Sequence, residues 1–134
     1  MIHHVTFEVS KGCITKELEF WSLLGFNPTG LRRRTRKQPP IHWLICGDET
    51  FAVELIPVDV GPLPDDSQGV GHLCLELGAR RWEIASLGMR RFTHRFDPHP
   101  DWKHHAFTTS PSGHVVEICA FANSIKSGPP LEGN

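Results

Sequence analysis

The segment 1-MIHHVTFEV-9 is written a second time, with substitutions, as 69-GVGHLCLEL-77. Aligned on His4 and His72, the two copies pair Ile2 with Val70, Val5 with Leu73, Phe7 with Leu75, Glu8 with Glu76 and Val9 with Leu77. Two later stretches also recur at a common offset. Leu24-Gly25-Phe26 matches Leu87-Gly88-Met89, and Val53-Glu54-Leu55 matches Val116-Glu117-Ile118. The opening strands lie slightly further apart, and one length change in a loop reconciles all the matches. A duplicated supersecondary unit constrains the fold more than any composition does. Each copy, roughly 60 residues long, buries too little surface to be stable alone, so the copies must pair to complete a core. A chain of 134 residues suits one such paired domain.

The order of elements within each copy follows from periodicity. Residues 2–9 alternate apolar and polar side chains, the mark of a half-buried strand. In 14-ITKELEFWSLLGF-26, Leu18, Trp21 and Leu24, or Phe20 and Leu24, fall on one side of a helix, with Gly25 at the C-cap position. The basic stretch 30–40 reads as an exposed strand and a turn, and 41–47 and 50–58 as a hairpin around Gly47-Asp48-Glu49. A Pro-, Gly- and Asp-rich segment then interrupts the pattern. Beyond it come a strand at 70–77, a helix at 79–89, a strand at 90–97, a strand entered through 98–107, a turn at 111–113 and a strand at 114–121. The expectation is an α+β fold of two tandem βαβββ modules forming a curved mixed sheet. The first module spans 1–58, a linker 59–69, the second module 70–122, and a flexible tail 123–134.

Composition narrows the partners. A net charge of −1 gives no global attraction for nucleic acid, and no apolar run approaches the length of a bilayer span. With no secretory leader in sight, a cytoplasmic location is expected. Cys13, Cys46, Cys74 and Cys119 are widely spaced, and the last three sit in apolar strand-like runs that suit buried free thiols. Nine histidines are many for this length and point toward chemistry.

In each copy a His near the start of the first strand is matched by a Glu in the last: His4 with Glu54, His72 with Glu117. A carboxylate among Val, Leu and Ile needs a cation or a donor to offset its desolvation. Two imidazoles and two carboxylates suit Zn, Ni, Co, Mn or Fe(II) rather than a thiophilic metal. Symmetric halves would aim both pairs at a common axis.

These residues carry a resemblance. The chain resembles the vicinal oxygen chelate superfamily, which includes glyoxalase I, bleomycin-resistance proteins, fosfomycin-resistance thiol transferases and extradiol dioxygenases. The likeness rests on His4 and Val9, 17-ELEFWSLLGF-26, Val53-Glu54-Leu55, Gly71-His72-x-x-Leu75 and 110-SPSGHVVEI-118, and covers residues 1 to about 122. It implies His4, Glu54, His72 and Glu117 as metal ligands, the set most similar to bacterial glyoxalase I. Glu117 is then the first choice for the catalytic base and Glu54 its symmetric counterpart, in isomerase or lyase chemistry through a metal-bound enediolate. A homodimer acting on a small molecule is expected.

Two alternatives stay open: a metal-free drug-binding protein of the bleomycin-resistance kind, and an Fe(II) extradiol dioxygenase using His4, His72 and Glu117 alone. Leu55-Ile56-Pro57-Val58 departs from the polar, aromatic stretch that follows the second ligand in glyoxalase I, and the chain has no tyrosine. Glu8 and Glu76 share a strand face with the two histidines and are candidate substrate contacts, as are Trp102, His104 and His105. The run Arg32, Arg33, Arg34, Arg36 and Lys37 reads as a solvated sheet edge, or as a grip for an anion. Trp43 and Trp82 read as core or interface residues.

Overall fold

The computed structural model describes residues 2–59, 71–100 and 103–120. Residues 60–69 of the expected linker, the tail 123–134 and Trp102 lie outside the described residues. The first module runs β1 (His4–Ser10), a short 3-10 turn (Lys11–Cys13), α1 (Ile14–Leu23), β2 (Phe26–Arg32), β3 (Ile41–Cys46) and β4 (Ala52–Val58). The second repeats the order as β5 (Leu73–Glu76), α2 (Gly78–Arg91), β6 (Arg95–Pro98), β7 (His105–Thr109) and β8 (Val115–Cys119). Each module is a four-stranded mixed sheet, ordered β1-β4-β3-β2 and β5-β8-β7-β6. In both, the first strand pairs in parallel with the last, which pairs antiparallel with the strand before it. This is the α+β duplication that the repeated motifs demand.

The first helix ends as expected, the second runs past its expected end, and the two matched glycines differ in role. Gly25 follows α1 at φ +92°, the left-handed turn that a residue without a Cβ adopts readily. Its sequence counterpart, Gly88, lies inside α2 rather than after it. A methyl group at Gly88 would collide with Leu23 Cδ2 of α1, so the missing side chain there serves close helix approach. With Gly88 helical, α2 continues to Arg91 and β6 starts only at Arg95.

The basic run is also split. β2 stops at Arg32, so Arg32, Arg34 and Arg36 do not line one strand. Arg34 donates to the carbonyl oxygens of Pro39 (3.0 Å from Nη2) and Pro57 (2.7 Å), tying the β2–β3 loop to the end of β4.

A single cluster of buried side chains joins the two modules. Phe20, Trp21 and Leu24 of the first helical segment, with Phe26, Leu44, Val53 and Leu55, continue into Leu75, Ala85, Met89, Ala106, Val116 and Ile118. Polar groups also cross the join. Glu17 of α1 is fully buried; it accepts from Trp21 Nε1–H at 3.0 Å and from the backbone N–H of Ser112, in the β7–β8 turn, at 2.7 Å. Ser10 N–H in turn donates to Ser112 Oγ at 3.0 Å, and His114 Nε2–H to the Glu8 carbonyl at 2.6 Å. Among the described residues no helix is long and apolar enough to cross a membrane.

Candidate metal centre

Residues opposed across a sheet ladder project to the same face, and neighbours along a strand alternate. In the first module Thr6 and Trp43 both oppose Glu54, so His4, Thr6, Glu8, Trp43 and Glu54 share one face. In the second, Cys74 and Phe107 oppose Glu117, and His105 opposes Cys119. Cys74, Glu76, His105, Phe107, Glu117 and Cys119 therefore share the corresponding face, with His72 one residue ahead of β5. Glu8 and Glu76 lie on these faces and are exposed.

Glu117 is buried and held on both oxygens. His72 Nε2 lies 2.9 Å from Oε1 and His105 Nδ1 3.0 Å from Oε2. An ionised carboxylate only accepts, so both imidazoles donate, and a neutral His105 then carries its lone pair on Nε2. Burial alone would push Glu117 up. The hydrogen bonds from His105 and His72, with the charges those rings carry when protonated, outweigh it and hold the carboxyl below its ordinary value. Phe107 packs edge-on to His72 and parallel to His99, walling the carboxylate on one side.

The first-module half is built from the same positions but clasped by other groups. Thr6 Oγ1–H donates to Glu54 Oε1 at 3.2 Å, and the Arg32 guanidinium stands 3.6 Å from Oε2. His4 is exposed; its Nδ1 lies 2.8 Å from His3 Nδ1, and its ring packs near Trp43 with centroids 5.2 Å apart. Within one chain the structure brings His72 to Glu117 but does not gather all four expected ligands. Among the described residues, the group of three or more His, Cys, Asp or Glu donors lying within 4.8 Å of one another is Cys74, His105 and Cys119.

All four cysteines are free thiols, but Cys74 is exposed where its apolar run suggested burial, because β5 is an edge strand. Its sulfur nevertheless faces the sheet interior. Desolvation there and the adjacent Glu117 charge push the thiol up to about 12, which makes an unassisted Cys74 a poor nucleophile.

His104 sits at φ +59°, its ring edge-on to Trp82 of α2, beside a cavity of about 360 Å³ that Arg90, His99 and Lys103 also line. A larger cavity, about 480 Å³, lies between β2, the β3–β4 turn and β5, where Asp48, Cys74, Glu76 and Arg81 contribute polar groups. Its lining includes neither Glu54 nor Glu117. The donor set, not the cavity, therefore defines the candidate centre. Sequence reading placed His105 among possible substrate contacts and missed its bond to Glu117. The register offers the signal that could have found it, since Trp43 and Phe107 match as partners of the two glutamates and His105 then replaces Ile41.

The fold built from these modules is shared with solved structures of several other proteins. No protein-family model matches the sequence, and no curated protein matches it. Solved structures do match. One is the fosfomycin resistance protein FosX from Listeria monocytogenes, determined with Mn(II) and dihydroxypropylphosphonic acid; it superposes with a TM-score of 0.70 at 10% identity, over 92% of this chain and 94% of that one. A trypanothione-dependent glyoxalase I from Leishmania major superposes at 0.64 and 16% identity, over 87% of this chain and 83% of that one. The oxidase ChaP-H2 superposes at 0.64 and 11% identity, over 92% and 95%. Three chemistries on one scaffold mean that the fold does not choose among them.

Proposed function

We propose that the protein is a divalent-metal-dependent enzyme of the glyoxalase type, acting on a small molecule that offers two neighbouring oxygens. The observation that supports it most is the recurrence of His and Glu at matched strand positions on the same face of both sheets, with His72 and Glu117 already in contact. Two imidazoles and two carboxylates fit a borderline or hard divalent cation such as Zn, Ni, Co, Mn or Fe(II). His4 and Glu54 of one copy would hold it together with His72 and Glu117 of a second copy, because the four do not converge within one chain. When bound, the metal would supply a Lewis acid for the substrate's oxygens.

The chain's own residues then divide the work. Glu117 moves the proton, its carboxylate held in place by His72 and His105. Glu54 is its counterpart in the other half, and Glu8 and Glu76 extend the face toward the substrate. The test is bound metal in the purified protein, measured by mass spectrometry beside His72→Ala. About one ion of Ni, Mn or Fe(II) per chain, absent from the variant, agrees with this reading. None of these metals in either, after incubation with each, rules it out.

One observation favours a second reading, a metal-free binding protein of the bleomycin-resistance kind. Arg32 approaches Glu54 where a cation would otherwise balance it. In that case the wild-type chain takes up no Ni, Mn or Fe(II).

A further inference from the structure

We infer that Cys74, His105 and Cys119 form a second, thiophilic metal site, selective for zinc(II) or a like d10 cation and separate from the His/Glu set. One sulfur or ring nitrogen from each lies within 4.8 Å of the others. A tetrahedral zinc with such ligands needs donors about 3.5–3.8 Å apart, so a contraction of about 1 Å closes the set. The strands supply the geometry: His105 of β7 opposes Cys119 of β8, and Cys74 of β5 opposes Glu117, two positions before Cys119 on the same ladder.

Glu117 completes the argument. Its Oε1 faces His72 and its Oε2 holds His105 Nδ1, which leaves His105 Nε2 as the ring nitrogen for a metal. A carboxylate that fixes an imidazole in this way is the usual outer partner of a metal-binding histidine. Two sulfurs and a nitrogen prefer zinc over manganese or magnesium, whereas the His/Glu set has no sulfur. Cys119 and His105 are buried and Cys74 is exposed, so the ion enters from the β5 edge, where its fourth position remains for water. On binding, each thiol releases its proton to solvent as its sulfur takes the cation; nothing is oxidised.

A disulfide between the same cysteines fits less well. Cys74 and Cys119 are diagonal on parallel strands, one strand across and two residues along, which separates their Cα atoms by about 8 Å. A disulfide needs less than about 7 Å.

The reduced, metal-free full chain, titrated with cobalt(II) and followed by absorbance, tests the inference. The expected result is a thiolate-to-cobalt charge-transfer band in the near ultraviolet, with the intense visible absorption of a tetrahedral ion, both bleached by zinc. Cys74→Ser, at an exposed position, abolishes the charge-transfer band while circular dichroism stays that of the wild type. Cys46→Ser and His72→Ala retain it. No such band in the wild type, or an undiminished band in Cys74→Ser, overturns the site. A weak octahedral spectrum without charge transfer, lost in His72→Ala, overturns it as well while leaving the His/Glu centre intact.

Discussion

At the scale of single residues, Glu54 and Glu117 occupy equivalent positions but different surroundings. Glu117 is clasped by two imidazoles, while Glu54 shares its oxygens with Thr6 and Arg32. Removing the Glu54 charge in Glu54→Gln is expected to weaken divalent-metal binding by at least about tenfold, measured by calorimetric titration. Unchanged metal content and turnover would instead favour the three-ligand arrangement of a dioxygenase. Arg32→Ala should act in the opposite direction. A cation on the sheet competes with the guanidinium for Glu54, so removing the guanidinium tightens metal binding; the Arg32 side chain is largely exposed and the contact is long, which limits the gain to about two- to fivefold.

Glu117 also predicts a pH dependence. Its folded pKa lies below its unfolded value, so its contribution to stability is complete above the ordinary carboxylate range and is lost as pH falls through that range toward the folded value. Urea midpoints of the metal-free protein should therefore drop on acidification more steeply for the wild type than for Glu117→Gln.

At the scale of elements, the two helices show how one repeated motif takes two roles. Gly25 ends α1 at positive φ, whereas Gly88 lets α2 lie against Leu23. Gly25→Ala forces a Cβ into the left-handed region and should cost about 1–2 kcal/mol in denaturant unfolding, with no change in metal content. The junction between modules depends on Glu17. Glu17→Ala strands two buried N–H donors, from Trp21 and Ser112, and should cost about 3 kcal/mol. A variant as stable as the wild type would show that water replaces the carboxylate.

At the scale of the whole molecule, the question is where the two halves of the metal set meet. If each site takes His4 from one copy and His72 from the other, His4→Ala and His72→Ala each bind no manganese alone. Co-refolding equal amounts should restore about a quarter of the wild-type sites, because half of the dimers are mixed and each mixed dimer has one intact site. No recovery on mixing would place each site within one chain.

The duplication, the order βαβββ and the matched strand positions of Glu54 and Glu117 were legible in the sequence, because strand alternation and repeated motifs are local patterns that survive in one dimension. The role of Gly88 was not legible, since a glycine looks the same whether it turns a chain or admits a neighbour, and only the position of Leu23 decides between them. His105 was hidden for a related reason: its contact with Glu117 depends on the β7–β8 register, which one strand's sequence does not state. Tertiary structure also decided that Glu17 would be a buried link between modules rather than a helix-surface acid, and that the four expected ligands stay apart within a chain. Local patterns determine which face of a strand a side chain takes; what it meets there is set by elements distant in sequence, whose placement is fixed by burying a shared core.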